Sequence, residues 1–220
     1  MPQDPAPADP ILTAVDEADR YLASLSGPGV AEVRAGIAAH RAAPRPSLPQ
    51  THEVVDTHLA PALSSLAKTH PALARALTVV SPFLHWQAYD RYPANTIGAD
   101  FLHGNAYALL IGQGAPIEAA DFHLGLFLIA PHVVYRDHNH PAPELYAPLT
   151  GPHGWRFGPQ SPLVEKPAHD PVWNPPLHPH LIKIGATPFL CLFGWTRDTL
   201  QPAQVIPAAD WPELDAYRLT

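Results

Sequence analysis

Apolar positions recur at helical spacing through the first third of the chain and at strand spacing after it. Ile11, Leu12, Val15, Ala18, Tyr21, Leu22 and Leu25 follow three- and four-residue steps, which predicts a helix within residues 8–43. Gly27-Pro28-Gly29 interrupts the pattern, and Val30 to Ala43 resumes it as a second short helix. Pro44, Pro46 and Pro49 form a breaker. A third segment, His52 to Ala67, carries a stripe through Val55, Leu59, Leu63 and Leu66, with Pro61 placed to kink or split it. His70-Pro71 opens a last helical turn through Leu73 and Leu77.

From about residue 85 short apolar or alternating runs take over: YALLIG, HLGLFLIAP, HVVYRDH, ELYAPLTG, GWRFG, LIKIG and PFLCLFGW. Gly, Pro, Asp and Asn separate them, and no long helix lies between them. Short strands joined by turns predict a β-barrel or sandwich rather than a parallel βαβ sheet.

Composition narrows the function classes. Only 15% of the 220 residues are charged and the formal charge is −7, which argues against nucleic acid or an anionic membrane as partner. No apolar run approaches the ~20 residues of a membrane span. The opening MPQDPAPADP lacks the basic and apolar regions of a secretory signal, so the cytoplasm is the expected compartment. A single cysteine, Cys191, sits in an apolar run and reads as a small buried hydrophobe. The 29 prolines favour short strands and rigid loops, and 14 histidines exceed the needs of one site.

The chemistry concentrates in His138-Asn139-His140-Pro141-Ala142-Pro143-Glu144-Leu145-Tyr146, with His180 downstream. Residues two apart on a strand share a face. His138 and His140 therefore point together, as do Glu144 and Tyr146 across a Pro-broken turn. If both strands line a barrel interior, two imidazoles, a carboxylate and a phenol converge. Such donors suit Zn²⁺, Fe²⁺, Mn²⁺, Co²⁺ or Ni²⁺. Strict alternation puts Arg136, not Tyr135, on the His138 face, unless a β-bulge intervenes. His132, His153 and His169 read as loop or rim residues, His178 as a neighbour of the site, and Lys183 and Arg197 as solvated strand ends.

This wording resembles the two-part signature of the cupin barrels: His138-x-His140, Glu144 and Gly151, then Pro175-Pro176-Leu177-His178-Pro179-His180. One departure is visible. His132 stands where the signature has its first Gly, a turn residue. Within the cupins the chain resembles the dimethylsulfoniopropionate lyases and their lyase-like relatives. That likeness rests on H-x-H-P-A-x-E-x-Y, on Tyr135 before His138, on the spacing from His180 to Pro188 and Trp195, and on helices preceding the barrel. The resemblance implies a mainly β fold with α: a cupin (double-stranded β-helix, jelly-roll) barrel over residues 83–220, preceded by a helical region, 1–82, packed on it.

The resemblance further implies one divalent metal held by His138, His140, Glu144 and His180, with Tyr146 as general base and Tyr135 and Trp195 lining the substrate pocket. The implied reaction, in a bacterial enzyme, is β-elimination of dimethylsulfoniopropionate or a close analogue to acrylate and dimethyl sulfide. A free Tyr, with pKa about 10, is a poor base at neutral pH, but a nearby dication favours the phenolate. Aromatic faces of Trp195, Tyr135 or Trp155 suit a sulfonium cation. The alternative is an Fe(II) cupin dioxygenase acting on a small organic acid or thiol. A small-molecule sensor fits less well, because the N-terminal helices lack the basic character of a DNA-binding module. The expected partner is a small-molecule substrate, with a homodimer an open option.

Overall fold

The computed structural model describes residues 9–219; the Pro-rich opening, residues 1–8, and with it the start of the first predicted helical segment, lie outside the described residues. Helix α1 (Pro10–Ala23) begins where Asp9 accepts from the backbone N–H groups of Ile11 and Leu12 at 2.8 and 3.3 Å. Pro10 fills the first turn, where no N–H is needed. It buries Ile11, Val15, Ala18, Tyr21 and Leu22 from the anticipated stripe. Helix α2 (Val30–His40) stops three residues short of Ala43, ahead of the proline-rich stretch. Helix α3 (Glu53–Leu66) is not split at Pro61. Pro61 and Thr57, whose carbonyl loses its helical partner, are both exposed, so water can satisfy that oxygen. Helix α4 (Pro71–Val80) completes the layer.

Two short helices, α5 (Ala94–Ile97) and α6 (Ala99–His103), lead into the strands. These are β1 (Asn105–Gly112), β2 (Ile117–Glu118), β3 (His123–Ile129), β4 (Val134–Asn139), β5 (Glu144–Pro148), β6 (His153–Arg156), β7 (Val164–Lys166), β8 (Val172–Asn174), β9 (His180–Lys183), β10 (Phe189–Trp195) and β11 (Gln204–Val205), with helix α7 (Trp211–Ala216) last. All seven anticipated runs contain strands. The additional elements are two to six residues long, too short for a periodic signal. One sheet has the order β2-β1-β3-β10-β5-β8 and the other β11-β4-β9-β6-β7. Apart from the parallel β1–β2 pair, the strand pairs are antiparallel. The result is the expected mainly β architecture with helices, built on two sheets.

Strand periodicity divides the interior in two. On β1, β3 and β10, Ala106, Ala108, Leu126, Leu128, Leu190 and Leu192 face the helices. Their neighbours Phe127, Ile129, Phe189, Cys191 and Phe193 face the space between the sheets. Both faces are buried, which is why these strands read as continuous apolar runs. Helix α2 lies so close to β10 that a Cβ on Gly194 would sit 2.7 Å from a Val33 methyl. No helix among the described residues is long and apolar enough to cross a membrane.

Candidate metal centre

Strand pairing brings the motif residues to one point between the sheets. His138 on β4 pairs directly with His180, the first residue of β9. His140 follows the end of β4, and Glu144 opens β5 opposite Trp195 of β10. The imidazoles of His138, His140 and His180 each offer a ring nitrogen within 4.8 Å of the others, and all three residues are buried. Glu144 Oε2 lies 3.0 Å from His140 Nε2 and 3.4 Å from His180 Nε2.

The hydrogen bonds decide what these atoms are. His138 Nδ1 meets the Arg136 carbonyl at 2.8 Å, His140 Nδ1 the Ala142 carbonyl at 2.8 Å, and His180 Nδ1 the His178 carbonyl at 2.9 Å. A carbonyl can only accept, so each Nδ1 carries a proton and each Nε2 is turned inward, free to offer a lone pair to a metal. The Nε2 atoms of His138 and His180 are buried without a partner. Two unpartnered imidazole nitrogens, the His140 Nε2 and a carboxylate oxygen therefore converge on one point. Acceptors crowd like this around a cation, and nitrogen with carboxylate oxygen suits a divalent transition metal. Burial, then the neighbouring His180 and His140, pushes His138 well below the usual imidazole range; burial also lowers His180. Burial would raise the Glu144 carboxyl, but the His140 and His180 imidazoles outweigh it and hold the group well below the usual carboxylate range. His138 and His180, kept neutral beside an ionised carboxylate, are in the protonation states a metal needs.

Tyr146 and His140 line a common cavity of about 70 Å³ with Glu144, Trp195 and Tyr135. At roughly 10–15 Å³ per water, such a cavity has room for a small organic acid. Burial, then the Glu144 charge, pushes the Tyr146 phenol well above its ordinary value. Trp195 donates its indole N–H to Glu144 Oε1 at 2.7 Å and lies against His140, ring centroids 4.6 Å apart. Tyr135 stacks on His138 at 3.9 Å and shares a 2.7 Å hydrogen bond with Tyr92. It faces inward because Tyr135 pairs with Ile182 while His138 pairs with His180: the extra residue on β4 is the bulge that brings both side chains to one face.

Several expectations are corrected. His153 is 1% exposed, not a rim residue; its Nδ1 accepts from Gly185 N–H at 3.3 Å. Lys183 is buried and donates to the His132 carbonyl at 2.7 Å. Trp155 lies behind Tyr146, ring centroids 5.6 Å apart, and does not reach the cavity. Tyr89, Arg91, Tyr107, His123 and Thr199 line the cavity without having been anticipated. Tyr89, Arg91 and Thr199 sit on connecting segments, His123 at the start of β3 and Tyr107 within β1, and only the fold assembles them: His123, for example, faces Trp195 across the ladder. Burial lowers His123 to about 4.

Comparison with known proteins identifies relatives. The family model described as dimethylsulfoniopropionate lyase matches residues 30–191. Among curated proteins, the dimethylsulfoniopropionate lyase DddQ of Ruegeria pomeroyi is 28% identical over 144 residues, 66% of this chain and 68% of the relative. A crystal structure of the DddQ lyase from Ruegeria pomeroyi DSS-3 superposes with a TM-score of 0.64 at 20% identity, over 89% of this chain and 95% of that one. A chain from crystal structures of the lyases RdDddP and RnDddQII matches equally, with TM-score 0.64 at 17% identity over 90% and 98% of the two chains. At these identities the two structures speak to the shared fold.

Proposed function

The chain belongs to the dimethylsulfoniopropionate lyase family, and from that membership we propose that it cleaves dimethylsulfoniopropionate or a close analogue to acrylate and dimethyl sulfide by β-elimination, with Tyr146 as base. The observation that carries the reading is the meeting of His138, His140, His180 and Glu144 beside a small aromatic cavity that His140, Glu144 and Tyr146 line. A bound divalent metal would supply positive charge beside both the substrate carboxylate and the phenol, opposing the burial that keeps Tyr146 protonated.

The chain's own groups do the rest. Tyr146 takes the proton from the carbon next to the substrate carboxylate. That electron pair forms the carbon–carbon double bond, the carbon–sulfur bond breaks, and dimethyl sulfide leaves uncharged. The proton stays on the Tyr146 oxygen until solvent removes it. Tyr107, Phe127 and Phe193 give the departing sulfonium aromatic faces, which favour a cation without hydrogen-bonding it. Trp195 holds one Glu144 oxygen, leaving the other directed at the histidines.

The test is dimethyl sulfide release from metal-loaded protein given dimethylsulfoniopropionate, with Tyr146→Phe in parallel. A base contributes about 10²–10⁴ in rate. Tyr146→Phe is expected to lose that much while keeping its metal. An active Tyr146→Phe removes this residue from the mechanism. Failure to release the sulfide, together with oxygen consumption that requires iron, overturns the elimination in favour of a dioxygenase.

A further inference from the structure

The C-terminal segment lies beyond residues 30–191, which match the family model, yet it touches the metal centre's supporting peptide from several sides. That peptide joins Arg136 to Asp137 at the β4 bulge. The Arg136 carbonyl fixes the His138 ring by accepting from Nδ1 at 2.8 Å. Whatever holds this peptide still therefore holds His138 Nε2 on target. A bulge is a weak place for such a task, because its extra residue lacks ladder partners.

The C-terminal strap supplies what the ladder lacks. Strand β11 pairs Val205 with His138 and Gln204 with Asn139. The Ile206 N–H donates to the Asp137 carbonyl at 2.7 Å. The Asp137 carboxylate is fully buried; it accepts from Trp211 Nε1 at 2.8 Å and from Arg156 Nε at 3.1 Å, with Arg156 Nη2 forming the second arm of a bidentate pair. Arg136 lies over the Trp211 ring, 4.7 Å from its centroid, 3.5 Å from Asp215, and donates to the Thr96 carbonyl at 3.0 Å. One tryptophan thus grips both residues of the bulge peptide, its edge on Asp137 and its face on Arg136.

We propose that Asp137 and Trp211 are positioning residues for the metal site, and that the C-terminal strap from Gln204 to Ala216 tunes metal affinity by locking the bulge that orients His138. The inference rests on His138 being a ligand. Groups that orient a ligating histidine typically set metal affinity by about 10–100-fold. None of these side chains lines the cavity, so the effect travels through the peptide rather than through substrate.

The experiment is a Co²⁺ affinity measurement by chelator competition on the full chain, with the visible Co²⁺ spectrum as a second readout. Asp137→Asn and the milder Trp211→Phe, which keeps a ring under Arg136, are expected to weaken Co²⁺ binding about ten-fold or more and to alter its spectrum. Tyr21→Phe serves as the control, because it deletes a buried hydroxyl bonded to Pro148 and His169, on the helical side of the molecule. It should leave affinity and spectrum unchanged. Wild-type affinity and spectrum in folded Trp211→Phe overturn the proposal even if Asp137→Asn does not fold. His138→Ala separates the two readings. Retained stoichiometric Co²⁺ there refutes the ligand assignment itself, whereas lost Co²⁺ there with unaffected Trp211→Phe refutes only the strap.

Discussion

The two cores of this protein share strands but differ in chemistry. Between the helices and the six-stranded sheet the side chains are mostly aliphatic: Val15, Leu22, Leu63, Leu77, Leu126 and Leu192. Between the sheets they are largely aromatic: Phe101, Phe127, Tyr135, Tyr146, Trp155 and Phe193. Aliphatic side chains fill space and do little else. Aromatic ones fill space, present flat walls to a cation and carry polar handles. The helical layer thus stabilises the sheet from outside, so the inner face can tolerate a cavity and a cluster of four polar groups. Stability and chemistry occupy opposite faces of the same residues' neighbours.

The sharpest break of that comparison is a pair of substitutions one on each face. Leu126→Ala deletes a side chain from the aliphatic core and should cost about 2–5 kcal/mol in denaturant unfolding, with turnover per folded molecule unchanged. Tyr146→Phe should do the reverse, losing about 10²–10⁴ in rate with an unfolding midpoint near that of the parent. If Leu126→Ala slows turnover as much as Tyr146→Phe does, the faces are coupled and the division fails.

How much of this was legible in the sequence follows from the same division. The helical stripes and the seven main strand runs were readable, because a helix burying one face repeats at 3.6 residues and a strand burying two reads as a short continuous apolar run between turns. The closeness of His138, His140, Glu144 and Tyr146 was readable because they lie within nine residues, on two successive strands and the turn between them. Tyr92, His123 and Thr199 were not, since each reaches the interior from a connection or a strand end, and its partners are set by pairing across dozens of residues. Tyr135 was ambiguous for a stated reason: only the bulge reverses its parity with His138. The burial of Lys183 and His153 was missed because what satisfies each is a distant backbone group, the His132 carbonyl and the Gly185 N–H.

A smaller effect probes how the inner core treats a polar group with no part in the site. His153 packs on Phe189, ring centroids 5.0 Å apart, and burial pushes it down to about 3. In the unfolded chain it titrates near 6.5. Below that pH the unfolded chain takes up a proton that the folded one refuses. Stability is therefore full above about pH 6.5 and falls as pH drops toward 3. Between pH 7 and pH 5 this one group accounts for about 2 kcal/mol. In metal-stripped protein, His153→Gln should flatten the stability profile over that interval by about this amount. An unchanged slope would mean that His153 is already charged, or exposed, in the folded state.

The smallest effect concerns the one departure from the cupin signature. His132 stands in the place of the signature's glycine, and its φ is +66°. The turn therefore kept the left-handed backbone after losing the residue that adopts it freely. A side chain there costs roughly 1–2 kcal/mol, whereas glycine costs roughly 0.5–1 kcal/mol in unfolded-state entropy. The His132 side chain is exposed, and its structural bonds are all main-chain: its N–H to the Gly185 carbonyl at 3.1 Å and its carbonyl to Lys183 at 2.7 Å. Glycine keeps both. His132→Gly should accordingly stabilise the protein by about 0.5–1 kcal/mol in urea unfolding, with turnover unchanged. A destabilised His132→Gly would show that the imidazole itself contributes at this corner, and that the departure is compensated by a contact of its own.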